Sequence, residues 1–258
     1  MIKEKLIKLT SLALLTCMCS FPAFNSLQVK AADLPTNEIA ATENVEVEET
    51  CMYGYYKNGW VKDSYGWRYY QNGKALSGNQ LINGYWYHFG YDNYMWTGWY
   101  SPVDVVKYYY STTGEMLTGW QSISGNWYYF NNRGQLQYGW QKIGSSWYYL
   151  EKNYWTGIMQ TGWQWIDGSY YYFDNSGEML TGWQMINGEW YYLNSNGSMQ
   201  TDWKHINGYW YYFNSDGSMV SNQWKWIGNS CYYFYSDGSM AQNTYIDGSY
   251  VNSSGAWV

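Results

Sequence analysis

Charged residues make up only 13% of this 258-residue chain, and histidine occurs twice. His88 and His205 fall in different segments, so neither can meet the other as a nucleophile's base or as part of a zinc set. Carboxylates such as Glu178 and Glu189 lie in unrelated turn and strand contexts, and no glycine-rich phosphate loop occurs. The chain therefore offers no catalytic constellation, no metal site and no demand for a cofactor. Basic clusters are missing as well, which argues against nucleic acid and anionic membranes as partners. Of the four cysteines, Cys17 and Cys19 fall in a leader. Cys51 and Cys231 are separated by roughly eight repeated units, far beyond disulfide reach when packed layers are about 10 Å thick. Cys231 occupies a slot where other units place Trp or Tyr and reads as a half-buried thiol.

Only one long apolar run occurs, from about Leu9 to Met18. Lys3, Lys5 and Lys8 precede it, and Val29-Lys30-Ala31 follows as a small-residue cleavage site. Residues 1–31 read as a secretory signal peptide, too short for a transmembrane segment. Its removal takes away four Lys and one Glu, moving the net charge from −6 to −9. Residues 32–50 contain Asp33, Glu38, Glu43, Glu46, Glu48 and Glu49 without a basic residue, and read as a flexible acidic linker.

The usual aliphatic core formers are also scarce, while aromatic residues make up 23% of the chain. Trp and Tyr must then supply most of the buried area. They recur. An opening Trp appears at Trp60, Trp99, Trp120, Trp140, Trp163, Trp183, Trp203 and Trp224, with Asn79 in the vacant slot. Successive steps run from 19 to 23 residues. A second aromatic follows seven positions later, at Trp67, Trp86, Trp127, Trp147, Tyr170, Trp190 and Trp210. A period near 20 residues marks an array of small units, none able to bury its apolar face alone.

The clearest unit, Gly182 to Thr201, crosses an Asn187-Gly188 turn between two β-favouring runs, a hairpin signal. Folding there sets Ile186 opposite Glu189, Met185 opposite Trp190 and Trp183 opposite Tyr192. One face carries Trp183, Met185, Trp190 and Tyr192; the other carries Ile186, Tyr191 and Leu193. The second face, with Tyr128 and Phe130 or Tyr211 and Phe213 as equivalents, is assigned to the core. A lone hairpin is marginal in water, so the units must stack. Residues 51–258 thus read as an all-β, elongated solenoid of about nine β-hairpin units plus caps. The third unit is stretched around Ser101-Pro102, and an insertion from Glu151 to Gly157 lengthens the fifth. Turns such as Asn214-Ser215-Asp216-Gly217 lack the spaced carboxylates and terminal Glu of a calcium loop.

The Trp-rich face is more apolar than a solvated side requires, and such patches bind something. Rings from Trp183 and Trp190, closed by Tyr212 of the following unit, would form a box suited to a quaternary ammonium group. Each ring also serves as candidate core, since aromatics must hold the stack together.

The pattern GWxxxxxxWYYF followed by a Gly and Met turn resembles the choline-binding repeat family of Gram-positive surface proteins. It stands here as Gly119-Trp120 with Trp127-Tyr128-Tyr129-Phe130, and as Gly182-Trp183 with Trp190-Tyr191-Tyr192-Leu193 and Gly197-Ser198-Met199. The resemblance implies stacked hairpins in a left-handed superhelix, with choline of teichoic acids between consecutive repeats. Two aromatics of one repeat and a Tyr of the next hold it, often near a Met. Carried over, it assigns ligand-binding boxes to Trp120, Trp127 and Tyr149; to Trp140, Trp147 and Tyr172; to Trp183, Trp190 and Tyr212; and to Trp203, Trp210 and Tyr233. Trp163, Tyr170 and Tyr192 form a variant. Asn79, His88 and Cys231 depart from the pattern, which concentrates sites in the middle and later repeats. The family usually appends such arrays to hydrolases or adhesins, and no such domain accompanies this one.

The implied function is that of a non-enzymatic, secreted, cell-surface protein binding choline-bearing teichoic or lipoteichoic acid of the cell wall. A glucan- or host-glycan-binding adhesin is the first alternative and a structural spacer the second. Whether rods pair end to end as a homodimer stays open.

Overall fold

The computed structural model describes residues 57–152 and 155–258. The leader, the acidic linker and Cys51 lie outside the described residues. Among the described residues ten antiparallel hairpins follow one another. Hairpin 1 pairs Gly59–Asp63 with Gly66–Gln71 and adds a short third strand, Lys74–Ala75. Hairpins 2 to 4 are Gly78–Ile82 with Tyr85–Phe89, Gly98–Val103 with Val106–Tyr110, and Gly119–Ile123 with Asn126–Phe130. Hairpins 5 to 7 are Gly139–Ile143 with Ser146–Leu150, Gly162–Ile166 with Ser169–Phe173, and Gly182–Ile186 with Glu189–Leu193. Hairpins 8 to 10 are Asp202–Ile206 with Tyr209–Phe213, Gln223–Ile227 with Ser230–Phe234, and Thr244–Ile246 with Ser249–Val251. No helix occurs among the described residues. The all-β hairpin array expected from the repeat period is the fold found.

Registers follow from turn chemistry. Asn187 and Gly188 both adopt positive φ, 52° and 91°, the pair of values that a type I′ turn demands. Trp183 then faces Tyr192, Met185 faces Trp190, and Ile186 faces Glu189, as the sequence dictates. Alternation along each strand does the rest. Ile186 and Leu193 are buried, whereas Met185 and Trp190 are exposed. Hairpin 3 breaks the rule: its register shifts between Tyr100 and Val103. The additional residues there include Pro102, which has no N–H to give a ladder.

Hairpins join through backbone as well as side chains. After each second strand a polar turn carries the chain into a short bridging segment. In hairpin 8 this segment places Met219 opposite Phe213. The Met219 N–H donates to the Trp190 carbonyl of hairpin 7 at 2.8 Å, and the next N–H, Val220, donates to Tyr212 of its own hairpin at 2.9 Å. Alternate donors thus tie two hairpins together. The same clip recurs from Met179 to Trp147, Met199 to Tyr170 and Met240 to Trp210. The turn glycine lies against the preceding unit's methionine. At Gly217 φ is +84°, and a Cβ there would sit 2.3 Å from the Met199 sulfur.

The core is a series of interfaces, not one centre. Phe89, Phe130, Leu150, Phe173, Leu193, Phe213 and Phe234 end their strands fully buried, each contributing about 1.5–3 kcal/mol of transfer free energy. Around Phe213 gather Ile206 and Met219 of its own unit with Trp183 and Tyr192 of hairpin 7. Cys231 is buried at 6% exposure, not half-buried as its slot suggested. Trp257 folds back over this strand, donating its N–H to the Cys231 carbonyl, and burial pushes the thiol pKa up.

Candidate functional site: aromatic boxes between hairpins

Within hairpin 7 the two indoles stand perpendicular, Trp183 to Trp190, at 6.2 Å and 89°. Trp140 with Trp147, Trp203 with Trp210, and Trp163 with Tyr170 repeat this at 6.4, 6.2 and 6.4 Å. Trp120 and Trp127 occupy the same strand positions in hairpin 4. The first ring of each pair is half-buried against the next hairpin, while Trp127, Trp147, Tyr170, Trp190 and Trp210 remain 40–47% exposed. One wall is fixed by packing and the other stands open to solvent.

The third wall is not the one expected. Tyr149, Tyr172, Tyr192, Tyr212 and Tyr233 each pair across their own hairpin with Trp140, Trp163, Trp183, Trp203 and Trp224. Against Trp183 the structure instead brings Tyr211, with centroids 4.9 Å apart at 68°. Tyr148, Tyr171, Tyr191 and Tyr232 stand likewise 4.8–4.9 Å from Trp120, Trp140, Trp163 and Trp203. The reason is the stacking direction. The Trp-bearing face of one hairpin meets the Ile/Tyr/Phe face of the next, so the closing ring must lie on that second face. Tyr212 is on the other face and approaches Phe234 of hairpin 9, at 6.4 Å. Tyr211, assigned from sequence to the core, is therefore core and wall at once.

Between hairpins 5 and 6 these walls enclose an open cavity of about 380 Å³. Trp140 and Trp147 line one side, Tyr171 and Met179 the other, and Ser195 and Asn196 from the turn of hairpin 7 form the rim. This box thus draws on three successive units. At the turn position of Asn196, hairpins 8 and 9 carry Asp216 and Asp237. Asp216 and Asp237 are held below the usual carboxylate range by hydrogen bonds from the Ser218 and Ser239 side chains and backbone. They raise the phenol pKa values of Tyr191 and Tyr211, which burial raises more. The Tyr148 phenol donates to the Glu178 carboxylate at 3.0 Å. Neutral ring faces beside fixed carboxylates favour a cation.

Sequence reasoning missed three contributors. The rim carboxylates were read only as turn residues, although their recurrence one unit further on was a usable signal. The methionine clip needs tertiary contact to be seen. A further box stands at hairpin 1, where Trp60 meets Trp67 at 6.3 Å and 87° and Tyr87 at 4.9 Å. Met95 clips to the Trp67 carbonyl there. The usual spacing of Trp60 and Trp67 marked it. Lys62 places its own ammonium 5.7 Å from the Trp67 ring centroid, a difference from the later boxes. Between hairpins 2 and 3 no box forms: the Asn79 side-chain oxygen accepts a 2.7 Å hydrogen bond from His88 Nδ1, and the His88 ring lies on Tyr100 at 3.9 Å. Among the described residues no group of three or more His, Cys, Asp or Glu could hold a metal ion.

A family model described as a choline-binding repeat matches residues 117–154, 160–202, 180–224 and 200–245. Choline-binding protein F from Streptococcus pneumoniae, solved in the presence of a peptidoglycan analogue, is 28% identical with a TM-score of 0.61. That match covers 78% of this chain and 92% of the other. The choline-binding domain of CbpL from the same organism is 32% identical with a TM-score of 0.53, over 71% of this chain and 97% of the domain. The modular autolysin LytC, also from Streptococcus pneumoniae, is 28% identical with a TM-score of 0.55 over 78% of this chain. This chain spans only 46% of LytC. No curated protein matches the chain.

Proposed function

The chain belongs to the choline-binding repeat family, and we propose from this that it is a secreted, non-enzymatic cell-wall-binding protein that holds the choline head groups of teichoic acids. The observation that carries the reading is the perpendicular, half-open indole pair closed by a Tyr of the next hairpin, as in Trp183, Trp190 and Tyr211. Three electron-rich walls at roughly 0.5–2 kcal/mol each sum to about 1.5–6 kcal/mol. The middle of that range is on the order of millimolar affinity. One box would release its ligand too readily to hold a protein on a wall. Several boxes meeting a polymer with repeated head groups gain two to four orders of magnitude, roughly, through effective concentration. The repeat number then has a functional purpose.

Calorimetric titration of the mature chain with choline chloride tests this. Saturable heat in the millimolar range, with several equivalents bound, is the expected result. A flat titration overturns the proposal, and heat with soluble dextran alone reassigns the rings to sugar faces.

A further inference from the structure

Two irregularities noted separately in the sequence meet in space. Hairpin 3 is bulged at Ser101-Pro102, and its second strand carries Lys107 where neighbouring units carry a Trp. The backbone identifies the slot: the Leu136 N–H clips to the Lys107 carbonyl as Met219 clips to Trp190. Trp155 lies 48 positions later, within the insertion after hairpin 5, and the Lys107 ammonium donates to its carbonyl at 2.9 Å. The Trp155 ring is anchored edge-on to Tyr138 at 5.2 Å. Bulge and insertion together frame an open cavity of about 360 Å³ lined by Trp99, Tyr100, Ser101, Lys107, Tyr128, Thr156 and Ile158.

We propose that this cavity binds an anionic pyranose, a sugar ring bearing a carboxylate, and not a quaternary ammonium group. The frame of a cation box persists, since Trp99 still meets Tyr128 at 5.2 Å and 73°. Its chemistry is reversed. The open aromatic wall has become a fixed positive charge, which repels a choline head group and pairs with an anion. No carboxylate lines the cavity. Trp99, 40% exposed, leaves part of its indole for the apolar side of a ring. Ser101 spends its O–H on the Val103 and Val106 carbonyls and keeps lone pairs for a sugar hydroxyl. Thr156 accepts from the Ile158 N–H and keeps its own O–H to donate. Ring face, cation, donor and acceptor together match a charged sugar better than a bare anion.

The test is a set of ¹H–¹⁵N indole spectra of the full chain, with the Trp99 signal assigned through Trp99→Phe. Sodium glucuronate, glucose, sodium acetate and choline chloride are added at matched ionic strength. Glucuronate should move the Trp99 signal saturably, and glucose, acetate and choline should not. Lys107→Gln should weaken glucuronate by roughly five- to tenfold, the worth of one partly solvated charge-assisted hydrogen bond. Lys107→Trp should transfer the Trp99 response from glucuronate to choline. A choline response at Trp99 in the native chain overturns the proposal, as does glucuronate binding indifferent to Lys107→Gln. Equal shifts with acetate would remove the sugar, and equal shifts with glucose would remove the charge. The indoles of Trp140, Trp183 and Trp203 report choline in the same samples, so failure here is separable from failure of the wall-binding reading.

Discussion

The interface after hairpin 7 and the interface after hairpin 3 share one frame and differ at the mouth. Behind Trp183 lie Tyr211 at 4.9 Å and Phe213 at 5.6 Å; behind Trp99 lie Tyr128 at 5.2 Å and Phe130 at 5.9 Å. The Trp183–Phe213 and Trp99–Phe130 ring planes cross at the same 39°. In front, one interface offers the open indole of Trp190 and the other the ammonium of Lys107. Buried rings fix the stacking and are constrained from all sides, while the exposed position contributes little to packing and is free to vary. The array separates holding itself together from choosing what it binds.

Breaking the frame should cost both interfaces alike. Phe213→Ala and Phe130→Ala each remove a fully buried ring and should each lower stability by about 3–5 kcal/mol, read by urea unfolding. Loss at only one of them would show that the frame is not shared. A smaller effect separates two glycines. Gly217→Ala should cost about 2–3 kcal/mol, because the left-handed φ strain is joined by contact with Met199. Gly188→Ala has positive φ but nothing within 4 Å of the new Cβ, and should cost about 1 kcal/mol. Equal losses would remove the role given to the methionine column.

The mouth can be broken without the frame. Tyr211→Leu should weaken choline at the Trp183 box roughly 2- to 30-fold, one ring's worth of cation–π attraction. Tyr212→Leu should leave the Trp190 indole response unchanged, and the reverse outcome restores the sequence-based wall. Acidity should matter least. The Asp216 and Asp237 carboxyls sit below their ordinary 3.8, so they are charged throughout from about pH 5 upward. The Tyr191 and Tyr211 phenols sit above their ordinary 10.0 and stay neutral to about pH 9. With a permanently charged ligand, affinity at the Trp163 and Trp183 boxes should change less than about twofold across that window. A sigmoid near neutrality, followed by calorimetry at successive pH values, would point to a titrating group in the box.

Much of this was legible in the residues. The spacing of Trp183 and Trp190, with Asn187-Gly188 between them, gave hairpin, register and faces, because a ladder's hydrogen bonds and its alternation of sides are local. Adjacent tyrosines such as Tyr211 and Tyr212 were the point of ambiguity. Both are aromatic and each lies beside a Trp, Tyr211 against Trp183 of the preceding unit and Tyr212 against Trp203 of its own, so composition cannot separate them. The stretched third unit and the insertion from Glu151 to Gly157 read as unrelated blemishes for the same reason: their meeting depends on how three units superpose.

Sequence alone determined the repeat, the turns and which side chains share a face, since these depend on chain geometry over a few residues. Tertiary structure decided which face meets which, and so which phenol closes each box. That choice rests on the Met N–H reaching back to the preceding hairpin and on Phe rings that must be buried against an indole. Both are relations between units, which no single unit's residues can express.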